Sequence, residues 1–139
     1  MSFISNLFGK KSENTPVNNP FKVDMHSHLI PGIDDGVDSY DESVEIIKGL
    51  IDLGYTKAVT TPHIMADFYR NDPDVIREGV KELNRILKEK GLDFLVEPAA
   101  EYYLDEHFAE QTKTKNLISF GNNYVLVEMS YLSPQTNVH

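Results

Sequence analysis

Any metal ion held by this 139-residue chain must be held by imidazole or carboxylate, because the sequence has five histidines, 22 Asp and Glu residues and no cysteine. Two of the histidines, His26 and His28, stand two positions apart in FKVDMHSH. In an extended strand that spacing puts both rings on one face, with Cα atoms about 6.5 Å apart. Both can then tilt onto one cation with metal–nitrogen bonds of about 2.1 Å. A lone His-x-His pair is also compatible with a purely structural role.

Other candidates follow along the chain. Asp34 and Asp35 lie in Gly32-Ile33-Asp34-Asp35-Gly36, a glycine-flanked turn. Asp and Gly favour turns for backbone reasons alone, and that reading suffices for Asp34. For Asp35 a turn role and a metal role stand side by side. The alternating acidic pattern of a calcium loop is missing. His63, in Thr-Thr-Pro-His, is either a strand cap facing solvent or a ligand. Glu101, in AAEYY, and Glu128, in YVLVEM, sit within apolar runs. A charge there is costly unless it is paired or metal-bound, so a salt bridge to Lys or Arg is the alternative for each. Tyr102, Tyr103 and Tyr131 fit a pocket or a core equally well. His107 falls in a predicted helix and His139 at the terminus, and neither is read as a ligand. The charged run over residues 81–90 reads as a solvated helix face.

These side chains need a scaffold. Residues 21–28 alternate enough to predict a first strand. Ser39 and Glu42 form a capping box before a helix whose apolar face carries Val44, Ile47 and Ile51 and which ends near Gly54. Residues 56–61 predict a second strand stopped by Pro62. Asp72 and Pro73 resemble an N-cap and first helical residue, opening a helix that runs to Gly91. Residues 94–96 begin a third strand that continues towards Glu101, residues 104–115 predict a helix, and residues 124–129 predict a buried strand. The fold class is therefore α/β, with parallel β/α repeats wound in right-handed crossovers. Ligands in such folds gather at the carboxyl ends of the strands, where all four predicted strands deliver a candidate: His26 and His28, His63, Glu101, Glu128.

Composition sets outer limits. The chain is 40% hydrophobic and 25% charged, as expected for one globular domain. Its net charge of −9 argues against nucleic-acid binding and repels phosphorylated ligands unless cations reverse the local sign. No transmembrane segment is expected. Residues 1–20 read as a flexible tail and linker, and residues 21–139 as the folded part.

The ordered set Asp24-Met25-His26-Ser27-His28, Asp34-Asp35-Gly36, Thr61-Pro62-His63, Ala100-Glu101-Tyr102-Tyr103 and Val127-Glu128-Met129-Ser130 resembles the capsule-biosynthesis tyrosine phosphatases of the PHP (polymerase and histidinol phosphatase) superfamily. The resemblance implies part of a distorted (β/α)7 barrel, about four of its seven strands, with metal ligands His26, His28, Asp35, His63, Glu101 and Glu128. It also implies up to three divalent ions, Mn2+ first and Zn2+ or Fe as alternatives, in a cytoplasmic enzyme. The implied substrate is phosphotyrosine on the tail of the autokinase governing capsule or exopolysaccharide export. No residue is assigned as catalytic acid or base, and a cysteinyl phosphoenzyme is excluded by composition. Rival functions are another PHP or amidohydrolase-type metallohydrolase, such as a histidinol-phosphate phosphatase, and a noncatalytic metal- or partner-binding fragment. The family pattern continues through a further His, an Arg and an Asp-x-His that have no counterpart here. The expectation is the front portion of a longer protein, with an open sheet edge, a tendency to oligomerise or swap strands, and little activity from these 139 residues alone.

Overall fold

The structure, a computed structural model, describes residues 19–114 and 116–130. Most of the predicted tail, Lys115, Tyr131 and His139 therefore lie outside the described residues. The element order is β1 (Val23–Asp24), α1 (Tyr40–Asp52), β2 (Lys57–Thr60), β3 (His63–Ile64), α2 (Pro73–Glu89), β4 (Leu95–Pro98), β5 (Glu101–Tyr103), α3 (Glu106–Thr114) and β6 (Leu126–Glu128). All the strand pairings are parallel, in two three-stranded sheets ordered β1-β2-β4 and β3-β5-β6.

The predicted second and third strands are each bent into two pieces. Pro62 has no N–H and interrupts the ladder between β2 and β3, while Ala99 and Ala100 separate β4 from β5. Hydrogen bonds bridge the bend: Ala99 N donates to Thr60 O (2.8 Å) and Glu101 N to Pro62 O (3.0 Å). One extended stretch thus crosses from the first sheet to the second beside its neighbour. The register sets His63 opposite Glu101 and Tyr103 opposite Glu128.

The first strand is much shorter than residues 21–28. It ends at Asp24, so His26 and His28 lie in the segment beyond it. Side chains hold that segment against β2: Thr60 Oγ1 accepts from Leu29 N (2.9 Å) and donates to Ser27 O (3.0 Å). These hydroxyl bonds supplement one backbone bond, from Thr61 N to Ser27 O (2.6 Å), and leave His28 half-buried and His26 more exposed beside it. Alternation would put Phe21, Val23 and Met25 on one apolar face, but Phe21 and Met25 are exposed.

The helices follow their local signals. Ser39 caps α1 by accepting from Glu42 N (3.2 Å), and Glu42 reaches back to Asp38 N (2.9 Å). Asp72 caps α2, with Pro73 buried in its first turn. Gly54 and Gly91 end the two helices at φ of 86° and 68°, where a Cβ is disfavoured. α3 starts at Glu106 rather than residue 104, because Asp105 accepts from Phe108 N (2.8 Å) and acts as its cap.

Val44 and Ile47 of α1 and Val80, Leu83 and Leu87 of α2 close over Ala58 and Val96 of the first sheet. A second cluster, around Ile64, Ile76 and Tyr102, lies under the other sheet. β6 is not the buried strand its sequence predicts: Val127, Tyr124 and Met129 are exposed, because no described element covers that face.

Candidate metal centre

Six polar side chains meet where these strands hand over to loops. His26 and His28 come from the segment after β1, His63 opens β3, Glu101 opens β5 and Glu128 closes β6. Asp35 arrives from the turn before α1. Three sets can each supply ligand atoms within 4.8 Å of one another: His26, His28 and Glu101; His28, Asp35 and His63; His63, Glu101 and Glu128. Shared members make the sets one continuous cluster.

The hydrogen bonds indicate which nitrogens are free. His26 Nδ1 lies 2.7 Å from Thr61 Oγ1, whose own hydroxyl points to Ser27 O (3.4 Å). The consistent assignment puts the proton on Nδ1 and leaves a lone pair on Nε2. That lone pair faces Glu101 Oε2 at 3.7 Å. His28 Nδ1 donates to Asp34 Oδ2 at 2.9 Å, so its Nε2 lone pair also faces Glu101 Oε2, at 3.4 Å. His63 Nδ1 is buried without a hydrogen-bond partner, 3.6 Å from Glu101 Oε2 and 3.7 Å from Glu128 Oε2. Its Nε2 lies 3.4 Å from Asp35 Oδ1.

These separations are too long for strong hydrogen bonds. Lone pairs aimed at carboxylate oxygens repel unless a positive charge lies between them. Two ligands bound at about 2.1 Å to one cation sit roughly 3.0–3.4 Å apart, close to the 3.4–3.7 Å found here. The donor set therefore fits divalent cations. The alternative of a Lys or Arg partner fails for Glu101 and Glu128, since among the described residues their ion-pair partners are histidines.

Asp34 holds the arrangement. Its side chain is fully inaccessible and accepts three bonds: Oδ2 from His28 Nδ1 and His63 N (2.9 Å each), Oδ1 from Gly36 N (3.0 Å). Burial pushes its carboxyl up, but those three donors outweigh burial and hold it below the usual carboxylate range. Burial likewise pulls the His28 ring down, yet the bond to Asp34 and the charges of Asp34, Glu101 and Asp35 raise it overall. Gly36 is needed for the approach, since a Cβ there would lie 2.6 Å from His28 Cβ and His28 O. Tyr69 stacks on His63 (5.5 Å, 13°), and Asn71 donates to His63 O (2.8 Å) and Ile33 O (2.9 Å).

Asp34 performs its expected turn role through Gly36, and the orienting role through His28 was invisible in the sequence because both aspartates share one turn. Thr61, Tyr69 and Asn71 carried no signal beyond proximity to His63. Tyr102 is core rather than pocket, and its hydroxyl accepts from Ile118 N (2.8 Å). His107 is exposed on α3 and takes no part in the cluster.

A family model described as "Capsular polysaccharide synthesis, CpsB/CapC" matches residues 22–139. The chain belongs to that family. Among its relatives is the tyrosine-protein phosphatase YwqE of Bacillus subtilis (strain 168), 26% identical over 110 residues, covering 78% of this chain and 43% of the relative. The tyrosine-protein phosphatase CpsB of Streptococcus pneumoniae is 25% identical over 118 residues, covering 84% and 49%. A solved structure from work on YwqE and CpsB, described as unique metal-dependent tyrosine phosphatases, superposes with a TM-score of 0.71 at 27% identity, over 78% of this chain and 44% of that one. The chain thus spans about half the length of the curated relatives it matches.

Proposed function

We propose that this CpsB/CapC-family chain forms the front portion, residues 21–139, of a PHP-type metallophosphatase domain that hydrolyses phosphotyrosine in proteins. One observation carries the reading: three imidazoles and three carboxylates converge with free lone pairs facing one another, and His63 Nδ1 is buried with no partner. The naming of its relatives as tyrosine-protein phosphatases supports the substrate class.

His26, His28, Asp35, His63, Glu101 and Glu128 would hold the cations. A mixed imidazole–carboxylate set without thiolate suits manganese, with zinc or iron as competitors. Divalent cations bound there supply Lewis-acid charge for the phosphoryl oxygens and acidify water to a nucleophile at neutral pH. The chain's own residues set up that chemistry. Thr61 and Asp34 fix the tautomers of His26 and His28, so that each presents Nε2 inward. Asn71 and Tyr69 hold the backbone and ring face of His63. The carboxylates alone would repel a phosphate, so anion binding depends on the cations they collect. The proposed substrate is the phosphorylated tail of a tyrosine autokinase, in the cytoplasm. No described helix is long and apolar enough to cross a membrane.

The test compares the full-length protein with its His26→Ala/His28→Ala variant. Manganese content is measured by elemental analysis, and phosphate release from phosphotyrosine peptides is set against release from histidinol phosphate. The expected outcome is loss of most bound metal and of peptide dephosphorylation with the helical signal retained. Unchanged metal content in the variant refutes the site, and preferential release from histidinol phosphate refutes the substrate.

A further inference from the structure

A cleft of about 450 Å³ opens between the loop that follows β3 and helix α3. Gln111 lines it, is only 9% exposed, and keeps its Oε1 without a hydrogen-bond partner. A buried carbonyl without a donor is destabilising, and native chains rarely keep one without use. Rotation about the last torsion of a glutamine side chain is soft, so the carbonyl can turn to the cleft. Facing Gln111 are Arg70 and Asn71 of the loop, with Asn116 beyond α3. Arg70 spends Nε on Ala66 O, which leaves its two terminal nitrogens available. Asn71 spends its amide on Ile33 O and His63 O, which leaves its carbonyl available.

The cleft therefore offers a buried acceptor that lacks a donor, beside an exposed guanidinium whose two terminal nitrogens bond no described residue. In an extended chain each residue projects its N–H and C=O to the same side, which matches this pair. The wall of the cleft is tied to the metal centre: Asn71 lines it and bonds the carbonyl of His63, and Tyr69, next to Arg70, stacks on the His63 ring. We propose that this cleft binds the main chain of the substrate beside the phosphorylated tyrosine, with a peptide N–H donating to Gln111 Oε1 and a peptide C=O accepting from Arg70. This inference rests on the phosphatase reading for the identity of its occupant. Recognition through the main chain tolerates many sequences but requires a peptide, so it separates phosphopeptides from small aryl phosphates.

Two substitutions in the full-length protein isolate the hydrogen bond. Gln111→Met keeps the shape and removes the acceptor; Gln111→Glu keeps the acceptor. The measurements are kcat/KM for a phosphotyrosine with several residues on each side and for free phosphotyrosine, both with manganese. The binding of a fluorescent peptide carrying a non-hydrolysable phosphotyrosine mimic is followed by anisotropy. Wild type should prefer the peptide, and Gln111→Met should lower peptide kcat/KM and binding about 5–10-fold, as expected for one buried hydrogen bond. Free phosphotyrosine should be turned over as before, and Gln111→Glu should retain the preference. Equal treatment of peptide and free phosphotyrosine by wild type, or unaltered peptide binding in Gln111→Met, overturns the cleft assignment. If no aryl phosphate is hydrolysed at all, the phosphatase reading fails separately, and the anisotropy comparison still decides whether Gln111 grips peptide.

Discussion

Asp34 gives the sharpest test of how the metal centre is held. Replacing it by Ala removes the acceptor of three N–H groups at once, on His28, His63 and Gly36. Hydrogen bonds to a charged group contribute about 1.5–3 kcal/mol each, and neighbouring ones are not additive. With water entering part of the gap, the metal-free protein should lose about 3–5 kcal/mol, a large share of the roughly 5–15 kcal/mol that holds a domain folded. The same change frees the His28 ring to rotate and to shift its proton, which should weaken metal binding about 10–100-fold. Asp34→Asn is the graded control. Its single oxygen can serve His28 and His63 together, but its amide then meets the N–H of Gly36. That variant should cost about 1–3 kcal/mol and weaken metal binding by about tenfold or less, because the His28 tautomer survives. Denaturant unfolding of the metal-free protein gives the stability, and titration against a competing chelator gives the affinity. The reasoning is refuted if Asp34→Ala unfolds at the wild-type denaturant concentration and binds metal as tightly.

Gly36→Ala should cost about 1–3 kcal/mol and reduce metal occupancy, because a Cβ 2.6 Å from His28 Cβ and O must displace that candidate ligand; unfolding and elemental analysis on one sample check both. Asn84→Ala should cost about 1–3 kcal/mol, since the carboxamide both donates to Val96 O (2.8 Å) and accepts from Val96 N (3.0 Å) on the outer edge of β4. Its loss should also speed amide exchange at Val96, read by NMR. Leu83→Ala, at a position with no exposure in the main cluster, should cost about 2–5 kcal/mol in denaturant unfolding while leaving metal affinity in the surviving folded protein unchanged.

Several features were legible in the residues themselves. Ser39 and Glu42, Asp72 and Pro73, and Gly54 and Gly91 mark the ends of α1 and α2, because helix starts and stops depend on hydrogen bonds spanning only a few positions. The candidate residue types were also legible: histidines and glutamates set in apolar runs or after predicted strands are expensive to leave unpaired. Parallel pairing followed from alternation of strand and helix.

Other features depended on contacts between residues far apart in the chain. Nothing local shows that the stretches at Pro62 and at Ala99–Ala100 bend together, since each bend is satisfied by bonds to the other. Nor does the turn sequence say which aspartate faces His28 from full burial and which stays open beside His63; Gly36 and the backbone of His63 decide that. The apolar stretch at Leu126–Glu128 promised burial, but burial needs a covering element and the described residues provide none. Side-chain chemistry was thus fixed residue by residue. The lone pairs acquired a common centre, and the Gln111 carbonyl lost its donor, only when segments tens of residues apart were packed against one another.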